Sequence, residues 1–497
     1  MSQRIISLTL SGDVGTKGAQ TRSAFRRRLR ANIRDTLARH ALQARICDRR
    51  DRIELEGGAE DAEERLTTAL SRVFGIQQVR VAQRMPWRGA EDIVALGEQL
   101  YADAVAGRRF AVRVRRVGPR AHIPVDGGAL AAQLGERLVV AGGRVDLDHP
   151  EVRVPVEVRP DDALFIRRTV PGAHGLPVGV QGRALALISG GYDSAVAAWQ
   201  MLRRGVALDF LLFNLAGWPQ EQAVRQVLSC LDRDWMGGTR PGLHIVDFRP
   251  VVAEMRRRVP GRYWQVLLKR LMLRAAESVA EALGSQALVT GDALGQVSSQ
   301  TLSNLDAISA HARTMVLRPL LGHDKDEIIE RAQAIGIAEI SAEVEEFCAL
   351  AGASPATRLR REQLDRQEAR FGGALVDKLA ARYRSVPRNA FGDALANTPE
   401  IERVPEHSAV FDLRSEAEYE RWHWPGAIHL EFDRALEHAD KLPRDRAYLF
   451  YCEVGLKSAH LAERMRESGF EAYSFRGGVE PLQAYARRHA DDARLSA

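Results

Sequence analysis

The sequence predicts a multidomain α/β protein, and three observations predict it. The chain has 497 residues, roughly three domains at about 150 residues each. Its middle third alternates continuous apolar runs with helix-period stretches, the pattern of a doubly wound parallel sheet covered on both faces. The stretch from Ser408 to about His489 repeats that alternation on a smaller scale.

Composition narrows the class. Hydrophobic residues make up 45% and charged residues 27%, with a mean hydropathy of −0.25. These values exclude a wholly disordered or fibrous chain. No apolar run approaches the roughly 18 residues that cross a bilayer. Met1–Leu10 lacks the pattern of a secretory signal. The expectation is a cytoplasmic protein with no membrane partner. The four cysteines, Cys47, Cys230, Cys348 and Cys452, form no CxxC pair. That argues against a zinc finger or disulfide scaffold, so no metal site is read and catalytic or redox thiols stay open.

The net charge of +6 hides an asymmetry. Residues 1–170 carry 30 basic and 22 acidic side chains, and residues 401–497 carry 14 and 18. A basic front end fits a polyanion such as nucleic acid.

The elements follow in order. Ile5–Leu10 alternates as a short strand, and Gly12–Gly18 is a turn-rich loop whose spacing does not fit GxxxxGK[ST]. Thr21–His40 reads as a helix with Phe25, Leu29, Ile33 and Leu37 on one face. Its other face carries Arg22, Arg26, Arg27, Arg30 and Arg34, either a solvated face or an RNA contact. Strands at Arg52–Glu56 and Gln77–Ala82 flank a helix near Ala62–Arg72. A helix at Asp92–Val105 precedes the strand Phe110–Arg116, which carries Arg113 and Arg115 opposite Val112 and Val114. A helix near Gly128–Ala141 and strands at Arg144–Leu147, Val152–Val158 and Leu164–Arg168 follow. Buried strands are expected at Arg183–Ile188, Leu208–Phe213, His244–Phe248 and Ala287–Thr290, with helices including Glu221–Asp232 and Trp264–Leu283 between them. From Ala351 to about Val404 the chain is charged and helix-prone, like a helical connector.

Chemistry concentrates in two places. The string Ser189-Gly190-Gly191-Tyr192-Asp193-Ser194 lies between an apolar strand and a helix. Its glycines let backbone amides approach a ligand, and the helix N-terminus favours an anion. A lone Gly-Gly pair is an ordinary turn, but the complete string resembles the PP-loop of ATP pyrophosphatases, which bind the pyrophosphate of ATP and adenylate a substrate oxygen or carboxylate. Downstream stand the helix start Gln265–Arg270, the run Val289–Thr301, Arg318-Pro319-Leu320 and His323-Asp324-Lys325. Taken singly, Lys269 or Lys325 is an ordinary surface lysine. The whole array resembles the tRNA 4-thiouridine synthetase (tRNA uridine sulfurtransferase) family, with Asp292 in place of that family's Glu.

The resemblance implies that Leu187, Ile188, Ser189, Gly190, Gly191, Asp193, Ser194, Lys269, Gly291 and Gln300 bind ATP with Mg2+. It implies that Asp193 and Lys325 assist adenylation. The second place is C-terminal. Asp412–Tyr419, His423–Ile428 and Tyr451–Ser458 resemble the rhodanese elements DxRxxxEY, HxPGA and CxxGxxS. There Cys452 opens a strand–helix loop, where amides and a helix N-terminus stabilise a thiolate or persulfide, and Lys457 adds positive charge. Cys348, alone a structural cysteine, becomes under the resemblance the partner of Cys452 in a redox disulfide. Cys47 and Cys230 match no element.

The resemblance divides the chain into a ferredoxin-like unit (1–62), a THUMP RNA-binding domain (63–169), a PP-loop domain (170–350), a helical linker (351–403) and a rhodanese domain (404–497). It implies ATP-dependent conversion of uridine 8 of a tRNA to 4-thiouridine. Arg26, Arg27, Arg30, Arg113 and Arg115 are the expected tRNA contacts. A cysteine desulfurase is the expected sulfur donor, and a sulfur-carrier protein for thiamine thiazole synthesis a second acceptor. A homodimer is compatible with this reading. Two rivals stand beside it: another PP-loop tRNA-modifying ligase, which needs no rhodanese unit, and a non-catalytic RNA-binding adaptor, which needs no intact Ser189–Ser194 string.

Overall fold

The computed structural model describes residues 2–49, 52–57, 62–342, 356–392, 399–453 and 455–495. These residues divide into two compact units, the first essentially 1–180 and the second essentially 181–497.

The first unit is built on one eight-stranded sheet. Its strands are β1 (Gln3–Leu10), β2 (Arg45–Asp48), β3 (Arg52–Glu56), β4 (Ile76–Met85), β5 (Arg109–Arg116), β6 (Arg144–Val145), β7 (Val152–Val158) and β8 (Ala163–Pro171), in the order β2-β3-β1-β4-β8-β7-β5-β6. Five helices accompany them: α1 (Gly12–Gly15), α2 (Ala19–Arg39), α3 (Glu63–Ser71), α4 (Ala90–Val105) and α5 (Gly127–Val140). The glycine-rich stretch read as a loop therefore holds one helical turn. Two large cores form along this sheet, beside a smaller cluster of Ile5, Ala82, Leu164 and Ile166. One joins Leu8, Leu29, Ile33, Ile53, Leu66, Leu70 and Val79. The other joins Ile93, Tyr101, Phe110, Leu134, Val154 and Phe165.

The first core corrects the expected boundary at 62/63. Helix α3 and strand β4 lie beyond that point, yet Leu66, Leu70 and Val79 bury against Leu8 and Leu29. Strand β1 also pairs antiparallel with β4 along its length. A strand without its sheet neighbour leaves unpaired amides and carbonyls, so α3 and β4 complete the N-terminal fold.

The second unit starts with β9 (Arg183–Leu187) and α6 (Tyr192–Arg203). It continues through β10 (Ala207–Asn214), α7 (Trp218–Trp235), β11 (Gly242–Asp247), α8 (Arg249–Arg258), α9 (Trp264–Leu283), β12 (Ala287–Val289), α10 (Leu302–Ser309), β13 (Met315–Leu317), α11 (Lys325–Ile335) and α12 (Ala338–Ala342). The strand order is β13-β12-β9-β10-β11, all parallel. The order reverses beside β9, and in such sheets ligands bind beyond the carboxyl ends of the strands at that point.

The expected linker is not a free connector. Helices α13 (Arg361–Phe371) and α14 (Ala374–Ala380) follow, and then β14 (Arg384–Pro387), which adds to β11 as an antiparallel edge. Leu359, Leu364, Phe371, Val376 and Ala380 bury in the same core as Leu267 and Leu271 of α9. Arg270 of α9 meets Asp365 at 2.5 Å and Glu368 at 3.1 Å. The charged composition that suggests a connector is the outer face of two packed helices. Strand β14 has one interior aliphatic, Val386, and ends at Pro387, which an edge strand tolerates because no further strand needs its N–H.

The C-terminal five-stranded sheet is parallel throughout, in the order β15-β19-β18-β16-β17. Its elements are β15 (Glu400–Ile401), β16 (Ala409–Asp412), α15 (Glu416–Arg421), β17 (Ile428–His429), α16 (Phe432–His438), β18 (Tyr448–Tyr451), α17 (Leu456–Glu467), β19 (Ala472–Phe475) and α18 (Val479–Leu495). The run Tyr448-Leu449-Phe450-Tyr451 is buried along its whole length, as a central parallel strand requires.

Candidate active site

The Ser189–Ser194 loop leaves the carboxyl end of β9. Leu187 is half-buried against the sheet core. Ile188 is buried, and its amide donates to the Leu211 carbonyl at 2.9 Å. The chain then turns at Gly190, whose φ of +93° disfavours any side chain. The Ser194 hydroxyl accepts from the Ser189 amide at 3.2 Å and donates to the Gly191 carbonyl at 3.1 Å, which closes the turn over the start of α6. A Cβ on Gly191 would meet only the Ser189 Oγ, at 3.8 Å. That side of the turn is open, and its amides and the helix N-terminus suit an anionic ligand.

Gly291 follows β12 and passes directly over this turn. A Cβ there would lie 2.6 Å from both Asp193 C and Ser194 N, so glycine is required by backbone approach. Gln300 is only 6% exposed and its Oε1 finds no partner among the described residues. A buried acceptor left open is costly until a donor arrives. The adenine or ribose of a nucleotide supplies such donors, so these residues fit ATP.

Asp193 stands in the first turn of α6 and carries two contacts. Lys325 Nζ lies 2.9 Å from Oδ1, and Gln296 Nε2 donates to Oδ2 at 3.0 Å. Lys325 opens α11, where a lysine opposes the helix dipole. Asp193 offsets that, and the capping box of Asp324 with Glu327 fixes the helix start. Gln296 lies inside the Val289–Thr301 run with no sequence signal of its own; the structure sets it on the carboxylate. Ser341, at the end of α12, donates to the Gly190 carbonyl at 3.0 Å, a contact with no sequence signal.

Lys269, an expected ATP contact, is held by an ion pair. Its ammonium pairs with Asp292 Oδ1 at 2.9 Å, and Arg318 Nε approaches Oδ2 at 3.2 Å. Thr290 Oγ1 donates to the same carboxylate at 2.8 Å. Burial pushes the Asp292 carboxyl up, but Lys269, Thr290 and Arg318 outweigh it and hold it at about 2. Asp292 therefore fixes two cations in place, which is a role for the carboxylate that stands where the family motif has Glu.

In the C-terminal domain Cys452 follows β18 directly and is 1% exposed. Its sulfur lies 3.5 Å from Ser458 Oγ, which in turn lies 2.8 Å from Ser474 Oγ. Gly455, with φ of +90°, caps α17 below the loop. Gly478 crowds the other side: a Cβ there would lie 2.3 Å from the Glu453 carbonyl. Arg414 forks onto Asp412 at 3.0 and 2.7 Å and reaches Glu453 at 3.7 Å, which ties the first rhodanese element to the cysteine loop. Lys457 sits over the Phe432 ring, 5.8 Å from its centroid. Cys348 lies outside the described residues, so its expected pairing with Cys452 is not placed.

The basic residues of the first unit sort into two groups. Arg26 is largely buried, pairs with Asp48, and donates to the carbonyls of Arg49 and Arg52. Arg30 meets Asp48 at 3.1 Å. These two tie α2 to the β2–β3 hairpin and are poor candidates for tRNA contact. Arg27 is exposed, as are Arg113 and Arg115 on β5. Arg113 donates to the Leu147 carbonyl at 2.6 Å. No helix among the described residues is long and apolar enough to cross a membrane.

Known families match four segments in sequence order. They are a ThiI ferredoxin-like domain at 8–79, a THUMP domain at 88–166, the family described as thiamine biosynthesis protein (ThiI) at 179–372, and a rhodanese-like domain at 395–485. A tRNA sulfurtransferase of Pyrobaculum aerophilum is 41% identical, covering 83% of this chain and 85% of its own. One of Desulfurococcus amylolyticus is 37% identical, covering 96% and 98%. The chain belongs to the tRNA sulfurtransferase family. A solved relative of this tRNA sulfurtransferase family member is a 4-thiouridine synthetase in complex with RNA and ATP. It is 29% identical with a TM-score of 0.67, covering 78% of this chain and 99% of its own.

Proposed function

We propose that this chain makes 4-thiouridine at position 8 of tRNA, using ATP and a persulfide. The observation that carries this reading is the Asp193–Lys325 pair on the open Ser189–Ser194 turn, in a chain that also holds Cys452 at the head of a rhodanese loop.

The chemistry follows from leaving-group quality. The C4 oxygen of uridine is a poor leaving group, and AMP is a good one. The Gly190–Gly191 turn would hold the phosphates of ATP, and Mg2+ bound with ATP would supply neutralisation of their charge. Lys325 stabilises charge that develops on phosphate oxygens, and Asp193 holds Lys325 in position. Attack by the C4 oxygen on the α-phosphorus expels pyrophosphate and leaves an adenylated uridine. Gln300 fixes the nucleotide through its open acceptor.

Sulfur arrives from a cysteine desulfurase as a Cys452 persulfide. Its terminal sulfur attacks C4 and expels AMP, which leaves a disulfide between the base sulfur and Cys452. The Cys348 thiolate attacks the Cys452 sulfur. The bond to the base sulfur breaks, the thiolated base departs with that electron pair, and a Cys348–Cys452 disulfide forms. A dithiol reductant reopens it. The same persulfide can serve a sulfur-carrier protein of the thiamine pathway. Arg27, Arg113 and Arg115 bind tRNA by phosphates rather than base sequence.

Mass spectrometry of tRNA nucleosides tests the reading. Cells lacking the protein lose 4-thiouridine, the wild-type chain restores it, and the Asp193→Ala chain does not. Retention of 4-thiouridine in the deleted strain overturns the assignment.

A further inference from the structure

A second groove lies away from the Ser189–Ser194 turn, in the same sheet domain. It encloses about 590 Å³ between the Pro260–Tyr263 segment and helix α13. Arg262, Arg366 and Arg370 line it together with Tyr263 and Gln367. All three arginines are exposed. Arg262 lies over Tyr263, 4.8 Å from the ring centroid, and donates to the Tyr263 hydroxyl at 2.8 Å. Arg366 and Arg370 have no ion-pair partner among the described residues. Two of the acids on α13 serve other groups: Asp365 and Glu368 pair with Arg270, and Glu368 also meets Arg274. The groove is left with a concentrated positive charge.

Gln367 adds a second, independent demand. It is only 7% exposed, yet its Oε1 has no hydrogen-bond partner among the described residues. Three guanidinium groups call for phosphate or carboxylate oxygens. The amide oxygen calls for an N–H or O–H donor, which a phosphate lacks. One RNA nucleotide supplies both, through its phosphates and its 2′-hydroxyl or base N–H.

Resting on the tRNA reading above, we infer that the groove formed by Arg262, Arg366, Gln367 and Arg370 is an RNA-binding subsite that holds a tRNA nucleotide outside the adenylation centre. Arg366 and Arg370 take its phosphates, and Gln367 accepts from the sugar or base.

Filter binding of an unmodified tRNA transcript to the full chain, across a salt series, tests this. The Arg366→Glu/Arg370→Glu variant should bind at least about tenfold more weakly. Its log–log salt slope should be shallower by about 1.4, since each single-strand phosphate contact contributes about 0.7. Gln367→Met keeps the volume and removes the acceptor. It should weaken binding about threefold at an unchanged slope, without lowering Tm, because the free protein loses an unsatisfied group. ATP affinity should stay at the wild-type value in each. If the reversed pair unfolds, Arg366→Gln/Arg370→Gln reads the same contacts. Wild-type affinity and slope in the folded double variant overturn the inference, and wild-type thiolation then leaves the function standing. Unchanged tRNA binding with lost binding of AMP or of a glutamate-rich peptide also overturns it, and assigns the groove to those ligands. A wild-type chain that neither binds nor thiolates tRNA overturns the function and this inference together.

Discussion

The Glu463 carboxylate accepts the Trp218 amide with both oxygens, at 3.1 and 3.0 Å. Trp218 is the first residue of α7, and its N-cap is Gly217, which has no side chain to satisfy that amide. Glu463 lies on α17, the helix below the Cys452 loop. A carboxylate from the rhodanese domain therefore caps a helix of the sheet domain, with favourable charge–dipole sign. Gly217 is required as well: its φ is +78°, and a Cβ would lie 2.9 Å from Glu463 Oε2. Glu463→Ala should weaken this docking by about 1 kcal/mol. Gly217→Ala should cost more and be non-additive with it. Calorimetry of the two single variants and the double variant checks this; simple additivity would mean the carboxylate does not hold the interface.

The adenylation centre makes a sharper demand. Asp193→Ala frees Lys325 and Gln296 together, so tRNA-dependent AMP formation should fall at least about 100-fold. Lys325→Met should lose a comparable factor while Asp193 keeps its contact to Gln296. Wild-type AMP release by either variant would remove the pair from catalysis.

Asp292 links stability to pH. Its carboxyl is held at about 2 in the folded chain, against about 3.9 when unfolded. The unfolded state binds the proton first as pH falls. The stabilisation is therefore complete above about pH 5 and is lost between about pH 4 and pH 2. Asp292→Asn leaves Lys269 and Arg318 facing each other without a counter-charge, and should cost on the order of 3 kcal/mol at neutral pH. Urea unfolding against pH checks both: the wild-type curve should steepen below pH 4, and the Asn variant should lack that component.

Much of this fold is legible in the residue pattern. Continuous apolar runs such as Phe210–Phe213 and Tyr448–Tyr451 mark buried parallel strands, which pack on both faces. The Ser189–Ser194 turn is legible because its glycines and hydroxyl do a backbone task that few sequences share. Partnerships distant in sequence are not legible. Asp193 with Lys325 is separated by 132 positions, and Ser341 with Gly190 by 151. Packing outside a periodic pattern also hides: charged α13 reads as a connector because Leu364 and Phe371 are few among its acids and arginines. Arg26 and Arg27 are neighbours in one basic run, and only the position of Asp48 separates a structural arginine from an exposed one.

That distinction is itself testable. Arg26→Ala removes hydrogen bonds to Asp48 and to two carbonyls, so it should lower stability by about 2 kcal/mol. Arg27→Glu should leave Tm unchanged and weaken tRNA binding, with a shallower salt slope. Thermal melts and filter binding on the two variants separate the roles. An Arg27→Glu chain with wild-type affinity and slope would reduce this helix face to a solvated one.

The two cysteines carry the last prediction. Cys452 is 1% exposed beside Ser458, so a thiolate there gains a hydroxyl donor but needs the loop to open before sulfane sulfur reaches it. The Cys452→Ala chain should therefore lose both persulfide loading and uridine thiolation. Cys348→Ala should still load persulfide on Cys452 and should fail in thiolation or turnover, because no second thiolate releases the base sulfur. Ser458→Ala removes the hydroxyl at 3.5 Å from the sulfur and should slow loading several-fold without blocking it. In the wild type, turnover without reductant should leave a Cys348–Cys452 disulfide, a bond that requires the two Cα atoms to come within about 7 Å. Release of the Glu463 cap on Trp218 is one movement that would free α17 for this, so Glu463→Ala should change the rate of disulfide formation and leave AMP formation intact. Non-reducing peptide mapping after a single turnover reads the bond directly. If the disulfide never forms and Cys348→Ala sustains full thiolation, Cys348 does not resolve the reaction, and the base sulfur must leave Cys452 by attack of an external thiol.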